Sequence, residues 1–382
     1  MTAVNRVFLG LGSNIGDRMK FLQTAINLIF QKVGKIENIS RVYETPSLGF
    51  EADDFLNCCV EVEIDNLNHQ ELLSKLQHIE QEIGRKPKTS LGYESRPIDI
   101  DVLLIDDQII DEIDLQVPHP GMDHRNFVLF PLSNILPEFK HPISGKVLKE
   151  MLGTVEPITP INQWLKNPIK KYSFEMLNYL AIEGNIGAGK TSLASKISQD
   201  FNAKLILERF ADNPFLPKFY KEPSRYAFTL EMSFLADRYQ QINEDLAQLD
   251  LFKEFVVSDY DIFKSLIFSK VTLAEDEFRL YRKLFYLMYK DIAKPDLYIY
   301  LYQNTDRLRE NIAKRGRDYE QEIQPDYLER INEGYLQFLK NNQEMPVKII
   351  DISDKDFVSS RRDYLEILDK IQESYTSVQP QH

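Results

Sequence analysis

The sequence predicts two domains, an α+β domain followed by an α/β domain built on a parallel sheet. Its 382 residues are more than a single domain ordinarily needs. Strand-like and helical segments mix in the first half, whereas short apolar strands alternate regularly with helices in the second half. A proline-bearing stretch without periodicity separates the two patterns. We therefore expect a first domain over 1–158, a linker over 159–175 and a second domain over 176–382.

The individual elements follow from the spacing of apolar residues. In the first half, strands are predicted for RVFLGLG, ISRVYET, FLNCCVEVEI and PIDIDVLLID, and helices for 18–33 and HQELLSKLQHIEQEIG. In the second half, strands are predicted for NYLAIEG, AKLILER, FKEFVVSDY, LYIYLY and VKIIDI. Helical stretches lie between these strands, including one from Lys190 and one from Arg225 to Leu249.

Composition and charge argue against several classes of protein. The net charge of −13 disfavours a broad surface for duplex nucleic acid, because such binding depends on Lys and Arg. No apolar run approaches the length of a membrane span, and the start MTAVNRVFLGLGSN lacks the features of a signal peptide. We expect a cytoplasmic protein that binds neither nucleic acid nor membrane.

Residues 184–191 read GNIGAGKT, a complete G-x-x-x-x-G-K-[ST] loop between a predicted strand and a predicted helix. Its glycines let consecutive backbone N–H groups point at phosphate oxygens. Lys190 would reach the outer phosphates, and the Thr191 hydroxyl would bind Mg²⁺. A chance glycine-rich turn is the alternative, but it would not require all the fixed residues. The predicted ATP-binding residues are Gly184, Asn185, Ile186, Gly187, Ala188, Gly189, Lys190 and Thr191.

An acid and a group of arginines extend this predicted site. Glu208 ends the second predicted strand, where a carboxylate faces the ligand crevice and can orient or deprotonate a hydroxyl. Arg309, Arg315 and Arg317 surround Gly316 after a helix, and such arginines can close over a transferring phosphoryl group. The alternatives are a surface acid and a solvated helix end.

The second half resembles the deoxynucleoside kinase family over nearly its whole length. The matching stretches are GNIGAGKT, FYKEP, YAFTLEMSFLADRYQQ and KRGRDYE. The resemblance implies that Glu208 is the catalytic base for the 5′-hydroxyl of the substrate. It implies that Tyr220 and Glu320 hold the sugar 3′-hydroxyl and that Arg315 and Arg317 belong to a lid. It also implies a homodimer formed through this domain.

Glu231 and Arg238 match the positions where the family reads the base, and their spacing places them on one helix face. A carboxylate only accepts hydrogen bonds, which suits exocyclic amino groups, so we expect a purine, with deoxyadenosine before deoxyguanosine. An ordinary ion pair is the alternative for Arg238. Where many relatives have an acid-Arg-Ser triplet, this chain has Ser258-Asp259-Tyr260. Asp259 is expected to keep the role of the acid, and Lys264 is our candidate for the missing positive charge.

The first half carries a pair of acids in SRPIDIDVLLIDD. Asp99 and Asp101 are two residues apart on a predicted strand, so both point to one face. Neighbouring carboxylates repel unless a cation lies between them, and oxygen ligands suit Mg²⁺. Arg85 and Arg96 flank the pair and favour a site for metal and phosphate, the alternative being the polar face of an edge strand. A dinucleotide-binding turn in LGLGSNIGD is disfavoured because Ile15 stands where a third glycine is needed.

This half resembles 6-hydroxymethyl-7,8-dihydropterin pyrophosphokinase over about residues 4–158. The matching stretches are FLGLGSNIGDR, YETPSLG, DFLNCCVEVE, SRPIDIDVLL and VPHPGMDHRNFVLFPL. The resemblance implies a ferredoxin-like fold in which Asp99 and Asp101 hold two Mg²⁺ ions on ATP. The implied nucleotide-side residues are Gln77, Glu80, Arg85, Arg96, His119 and Arg125, with Arg85 and Arg96 catalytic. The implied pterin-side residues are Thr45, Pro46, Leu48, Phe55, Asn57 and Phe127.

Two departures from this family are visible. Pro87 stands where relatives often have a second basic residue, for which Lys88 is a candidate replacement, and Asp114 stands where some members have Arg.

We therefore expect two kinases in one chain. One transfers pyrophosphate from ATP to the pterin and releases AMP; the other transfers the γ-phosphoryl group of ATP to a deoxynucleoside and releases ADP. One alternative is that either half is a silent nucleotide-binding or regulatory module. Another is a nucleoside monophosphate kinase, which Tyr220, Glu231 and Arg238 disfavour because they suit an uncharged sugar and base.

Overall fold

The computed structural model describes residues 4–47, 52–65, 67–85, 95–174, 177–209, 213–248, 250, 252–290, 292–317, 320, 323–341 and 345–378. The chain divides into two compact units, Met1–Lys171 and Tyr172–His382. Residues near the division bond within their own units. The Lys166 backbone N–H donates to Gln23 Oε1 at 2.7 Å, and the Tyr172 hydroxyl donates to the Leu365 carbonyl at 3.4 Å. The division falls within 159–175, while the outer limits of the linker stay a prediction.

The first unit is an antiparallel sheet with helices packed on it. In chain order its elements are β1 (Val4–Ser13), α1 (Arg18–Lys32), β2 (Lys35–Ile39), β3 (Tyr43–Thr45), β4 (Phe55–Asp65), α2 (His69–Ile83), β5 (Asp99–Ile105), β6 (Ile110–Asp111), β7 (Gln116–Val117), α3 (Asn126–Ile135) and α4 (Leu148–Leu152). The main sheet has the order β2-β4-β1-β5, with β3 paired to β4, and its neighbours are antiparallel. Helices α1 and α2 each connect strands that are separated in the sheet by one other strand.

Local sequence explains how the first unit positions its polar residues. Helix α2 begins at a capping box, in which Asn68 and Glu71 satisfy each other's backbone N–H groups. It ends at Gly84, whose φ of 111° directs the chain away from the helix axis before Arg85. Strand β5 pairs with β1 so that Asp99 lies opposite Gly12 and Asp101 lies opposite Gly10. The residues directly opposite the two acids therefore have no side chains.

The second unit is built on a five-stranded parallel sheet with the order β12-β11-β8-β10-β9. Its strands are β8 (Tyr179–Gly184), β9 (Lys204–Ile206), β10 (Val256–Ser258), β11 (Leu297–Tyr302) and β12 (Val347–Asp351). Its helices are α5 (Lys190–Asp200), α6 (Leu216–Lys221), α7 (Pro223–Ala247), α8 (Phe263–Thr272), α9 (Glu275–Tyr289), α10 (Thr305–Arg315), α11 (Pro325–Asn341) and α12 (Arg361–Val378). The predicted α/β class with a parallel sheet is confirmed for this unit.

The central strand β8 places the phosphate loop at the carboxyl edge of the sheet. Strands β9 and β10 end at the same edge, β9 two residues before Glu208 and β10 directly before Asp259. Ligands of open parallel sheets bind beyond this edge, so three sequence-distant segments meet there.

One predicted strand differs from the structure. ISRVYET does not form a single strand, because β2 ends at Ile39 and β3 begins at Tyr43. The buried Ser40 accounts for the break: its hydroxyl accepts the Cys59 backbone N–H at 2.8 Å, so a side chain replaces the ladder partner there. Among the described helices, none is long and apolar enough to cross a membrane.

Two candidate active sites

The first unit contains a cavity that brings the acid pair together with most of the predicted pterin residues. From the pterin set, the cavity is lined by Thr45, Pro46, Phe55, Asn57 and Phe127. From the nucleotide set, it is lined by Arg96, Asp99, Asp101 and Arg125. Leu48 lies outside the described residues, as do Pro87 and Lys88. Gln77 is exposed on α2 and is not among the residues that line this cavity.

Positive and negative side chains alternate at the polar end of this cavity. Asp99 Oδ1 accepts a hydrogen bond from Arg85 at 2.7 Å and forms an ion pair with Arg96 at 3.0 Å. Burial raises the pKa of Asp101, and the neighbouring Asp99 raises it further. Burial likewise raises the pKa of Glu80 to about 7, although Glu80 contacts Arg85 and accepts the Ile100 N–H at 2.8 Å. A cation between the two aspartates would relieve this unfavourable charge.

The two aspartates fit a metal ion that is shared with a ligand. Among the described residues, no group of three or more His, Cys, Asp or Glu is placed to hold a metal ion. Mg²⁺ is commonly held by one or two carboxylates together with phosphate oxygens and water. Asp99 and Asp101 supply two such carboxylates on one face of β5, so the residues fit Mg²⁺ bound with a phosphate ligand.

At the apolar end, a buried hydrogen bond orients an amide. Asn57 Nδ2 donates to Thr45 Oγ1 at 2.9 Å, and both side chains are buried. Gly12 leaves room for this amide, because an added Cβ there would lie 3.0 Å from Asn57 Oδ1. The guanidinium of Arg125 lies 5.8 Å from the centre of the Phe127 ring. This end can hold a flat polar heterocycle.

In the second unit, the phosphate loop has the geometry that its sequence predicts. Gly187 and Gly189 have φ angles of 83° and 80°, a region that other residues rarely adopt. Lys190 opens helix α5, and its ammonium donates to the carbonyls of Gly184 and Asn185 at 2.9 Å each. Burial lowers the pKa of Lys190 to about 8, with the nearby Lys264 acting in the same direction. The negative charge of a bound polyphosphate would raise the pKa of Lys190 and so offset both effects.

Glu208 is held between two cations and lines a cavity of the second unit. Its Oε1 accepts from Arg238 Nε at 2.8 Å, and its Oε2 accepts from Lys264 Nζ at 2.5 Å. Burial alone would raise the pKa of Glu208, but Lys264 and Arg238 outweigh burial and hold it at about 2. Asp259 accepts the Thr191 hydroxyl at 2.5 Å and the Glu208 N–H at 2.7 Å. Asp259 thus joins the phosphate loop to the end of β9.

The remaining predicted residues line the same cavity. It contains Tyr220, Glu231, Arg238, Glu320, Arg315 and Arg317 together with Lys190, Thr191, Glu208 and Asp259. Glu320 is buried and contacts Arg315, and Arg317 lies 3.3 Å from it. Burial raises the pKa of Glu231 to about 7.

Comparison with known proteins establishes the family of each half. A sequence model described as "Deoxynucleoside kinase" matches residues 180–376, and one described as "7,8-dihydro-6-hydroxymethylpterin-pyrophosphokinase (HPPK)" matches residues 8–137. The chain belongs to both families, one in each half. The two units are named the pyrophosphokinase domain and the kinase domain below.

The relatives of each domain are matched over nearly their whole length. The Aquifex aeolicus 2-amino-4-hydroxy-6-hydroxymethyldihydropteridine pyrophosphokinase is 44% identical over 145 residues, 38% of this chain and 88% of that protein. The Bacillus subtilis deoxyguanosine kinase is 39% identical over 200 residues, 51% of this chain and 96% of that protein. The Lactobacillus acidophilus deoxyadenosine kinase is 31% identical over 217 residues, 53% of this chain and 99% of that protein.

In the pyrophosphokinase domain, sequence reasoning missed Asn14. Its Oδ1 accepts the Arg96 backbone N–H at 2.8 Å, and its Nδ2 donates to Ser95 Oγ at 3.0 Å. Asn14 therefore holds the chain just before β5 and positions Arg96. Asn14 belongs to the quoted stretch LGLGSN, but nothing in the sequence indicates that this stretch lies beside Arg96 in the folded chain. Buried atoms at this site, Arg96 Nε and His119 Nδ1, have no hydrogen-bond partner within the described residues.

In the kinase domain, sequence reasoning missed the outer wall of the phosphate loop. A second cavity beside the loop is lined by Arg307, Asn311, Lys314, Lys355, Phe357 and Val358. Asn311 Nδ2 donates to the Gly187 carbonyl at 2.9 Å. These residues come from α10 and from the segment after β12, so only the folded chain brings them to the loop.

Proposed function

We propose that the chain is a bifunctional enzyme with two separate ATP-dependent reactions. In the pyrophosphokinase domain, a pyrophosphoryl group passes from ATP to the hydroxymethyl oxygen of 6-hydroxymethyl-7,8-dihydropterin, and AMP leaves. In the kinase domain, the γ-phosphoryl group passes to the 5′-hydroxyl of a purine deoxynucleoside, and ADP leaves. The observation that carries the proposal is common to both domains. In each domain, a cavity is lined both by groups suited to phosphates and by groups suited to an uncharged acceptor.

The apolar end of the first cavity supports the pterin. Phe55 and Phe127 offer aromatic faces to a flat ring, and Asn57 both donates and accepts hydrogen bonds. The bond from Asn57 to Thr45 orients that amide before the ligand arrives. The strand order and antiparallel pairing of the main sheet support the assignment of this domain to the ferredoxin-like fold.

The polar end of the first cavity supports ATP. Asp99 and Asp101 are proposed to hold Mg²⁺, which when bound offsets phosphate charge and orients the nucleotide. Arg85 and Arg96 are proposed to turn from Asp99 to the phosphates, where their charge stabilises the transferring group. Glu80, His119, Arg125 and Gln77 complete the proposed nucleotide side.

In the kinase domain, Glu208 is proposed to receive the substrate 5′-hydroxyl. Its carboxylate is ionised at neutral pH, but a group with a pKa of about 2 is a weak base. Phosphoryl transfer passes through a loose transition state, so orienting the hydroxyl matters more than removing its proton early. Thr191 and Asp259 are proposed to hold Mg²⁺, while Lys190, Arg315 and Arg317 bind phosphate oxygens.

The acceptor of the kinase domain is proposed to be a purine deoxynucleoside, deoxyadenosine before deoxyguanosine. Tyr220 and Glu320 are proposed to hold the sugar 3′-hydroxyl, and Glu231 the base. The proteins similar to this domain include kinases named for each of the two purine deoxynucleosides, and they do not separate the two.

The kinase domain is also proposed to form a homodimer. Helix α9 exposes Leu280 and Leu287, which lie two turns apart on one side of the helix, together with Tyr286. Exposed apolar side chains in such a row favour burial against another surface. Light scattering on the purified chain should give twice the monomer mass, and Leu280→Glu with Leu287→Glu should give the monomer.

Product identity tests the proposed function. The full chain is incubated with Mg-ATP and, separately, with the hydroxymethyl pterin, each of the four deoxynucleosides, or each deoxynucleoside monophosphate. We expect AMP only with the pterin and ADP only with a purine deoxynucleoside. Silence of one domain beside activity of the other would make the silent domain a binding module. ADP formed only with monophosphates would replace the proposal by a nucleoside monophosphate kinase.

A further inference from the structure

The carboxyl group of Glu231 has one engaged oxygen and one oxygen without a partner. Thr272 Oγ1 lies 2.9 Å from Glu231 Oε1. Glu231 Oε2 is buried and has no hydrogen-bond partner among the residues that the structure describes. The side chain is 2% exposed and lines the acceptor cavity. A buried oxygen without a partner is costly in an empty protein, so its position indicates a ligand atom.

The Thr272 hydroxyl has two acceptors for one proton. Its Oγ1 lies 3.0 Å from the Phe268 carbonyl oxygen, in addition to the 2.9 Å contact with Glu231 Oε1. When Thr272 donates to Phe268, it can accept a proton from a neutral Glu231 at Oε1, and Oε2 is then an acceptor. When Thr272 donates to Glu231 Oε1, the proton of the neutral carboxyl lies on Oε2, which is then a donor.

An ionised Glu231 lacks this choice. Both of its oxygens only accept hydrogen bonds, so Oε2 can bind an N–H group but cannot bind a carbonyl oxygen. At C6 itself, a 6-amino purine presents an N–H donor and a 6-oxo purine presents an acceptor. At the neighbouring N1 the order is reversed, because the 6-amino purine presents an acceptor there and the 6-oxo purine an N–H donor. Ionisation of Glu231 therefore excludes 6-oxo purines when Oε2 faces C6 and not N1.

We propose that Glu231 Oε2 reads the substituent at C6 of the base, so that the neutral Glu231–Thr272 pair lets the kinase domain accept both 6-amino and 6-oxo purine deoxynucleosides and ionisation of Glu231 leaves only the 6-amino class. This inference rests on the proposed deoxynucleoside kinase activity and deepens it. Glu231 is a specificity-determining residue in this account, with Thr272 as its positioning residue.

The surroundings of Glu231 support a neutral carboxyl near neutral pH. The charged and titratable groups that face it from α7, α8, α9 and α11 are Arg238, Lys264, Tyr281 and Tyr327. The two cations are already engaged, because Arg238 and Lys264 both bond Glu208. The Tyr281 hydroxyl donates to the Glu231 backbone carbonyl at 3.3 Å and leaves the carboxyl alone. Burial therefore dominates and raises the pKa of Glu231 to about 7.

The test compares two substrates across pH. kcat/KM is measured for deoxyadenosine and deoxyinosine with the full chain at pH values on both sides of the Glu231 pKa of about 7. The ratio of the two values removes effects on ATP and on the shared phosphoryl-transfer step. We expect the ratio of deoxyinosine to deoxyadenosine to be constant below this pKa. Above it, the ratio should fall by about tenfold per pH unit.

Variants separate this role from a structural one. Glu231→Gln has a permanent donor and acceptor, so its ratio should not change with pH. Thr272→Val removes the acceptor for the Oε1 proton, so deoxyadenosine should lose kcat/KM selectively at low pH while deoxyinosine keeps it. Glu244→Gln, a surface change on the same helix, should retain the wild-type profile. AMP formation with the pterin reports that the other domain of each variant is active, and the deoxynucleoside activity that each variant retains reports that its kinase domain is folded.

Two results would overturn the inference while leaving the proposed function in place. One is a ratio that does not change with pH in the wild type. The other is a ratio that rises with pH, which would mean that ionised Glu231 reads the N1–H of 6-oxo purines. If the wild type phosphorylates no deoxynucleoside, the proposed function fails first and the inference fails with it.

Discussion

Glu208 shows how single residues determine the chemistry of the kinase domain. Two buried cations offset its charge, although the triplet after β10 lacks the arginine found in many relatives. Lys264 supplies one of them from the second residue of α8. This geometry supports our prediction that Lys264 replaces the missing positive charge.

Replacing Lys264 by Met should lower kcat/KM for the deoxynucleoside by about 100-fold, because a buried carboxylate loses a charged partner. The loss of Lys264 also raises the pKa of Glu208. Activity needs the ionised carboxylate, so it is present above this pKa and is lost as pH falls through it. An acid limb should therefore appear in the pH profile of the variant at a higher pH than in the wild type.

Lys264→Arg should restore most of the activity, and Lys270→Met, an exposed change on the same helix, should leave it intact. A Lys264→Met enzyme with a wild-type pH profile would show that Arg238 alone is enough to keep Glu208 ionised.

At the scale of elements, glycines in strand β1 and in the phosphate loop leave room for neighbouring side chains. In β1, Gly12 lies beside Asn57, and an added Cβ would stand 3.0 Å from its Oδ1. In the same strand, an added Cβ at Gly10 would meet only the flexible end of Leu103 at 3.3 Å. The two positions offer a matched pair, because both line the cavity of the pyrophosphokinase domain.

Gly12→Ala should therefore raise KM for the pterin by about tenfold, since Asn57 must move to make space. Gly10→Ala should have a smaller effect. Steady-state kinetics of AMP formation check both variants, and phosphorylation of the deoxynucleoside serves as the internal control. Equal increases in KM for Gly10→Ala and Gly12→Ala would show that displacement of Asn57 is not the cause.

The phosphate loop and the end of helix α10 permit a second comparison. Gly189 has a left-handed φ of 80°, and an added Cβ would lie 2.7 Å from the Phe357 ring. Gly316 has a φ of 69° but nothing within 4 Å of an added Cβ. Gly316→Ala should cost about 1 kcal/mol of unfolding free energy from the backbone alone, and Gly189→Ala about 2 kcal/mol or more. Calorimetric unfolding of the full chain measures both, and equal destabilisation would argue against the Phe357 contact.

At the scale of the whole molecule, the chain has two compact units, each with its own core and its own cavity. Among the described residues, those that line the first of these cavities belong to the first unit, and those that line the second belong to the second unit. We therefore expect the two reactions to be separable by single substitutions in the intact chain.

Asp101→Asn should reduce AMP formation with the pterin by at least about 100-fold, because it removes a carboxylate from the proposed metal site. Lys190→Ala should reduce ADP formation with the deoxynucleoside to a similar extent, because it removes a phosphate-binding charge. Each variant should retain the other activity, measured by separating AMP and ADP chromatographically. Loss of both activities from one substitution would mean that the two domains depend on each other.

Much of the fold and part of each site could be predicted from the sequence, because the relevant signals are local. The phosphate loop is a continuous stretch, and the two aspartates are neighbours on one strand, so spacing alone relates their side chains. Strand and helix alternation in the second half predicted a parallel sheet for the same reason. The prediction that ISRVYET forms one strand was wrong, because Ser40 bonds to Cys59 in another strand and no local pattern indicates that contact.

The sequence by itself therefore determined the two domains, their families, the phosphate loop and the acid pair. Only the tertiary structure decided that Asn14 holds Arg96 and that Lys264 and Arg238 share Glu208. It also decided that one oxygen of Glu231 has no partner within the described part of the chain. The physical reason is distance along the chain: these contacts join segments tens of residues apart. Their energies depend on burial and on neighbouring charges, which exist only after the chain has folded.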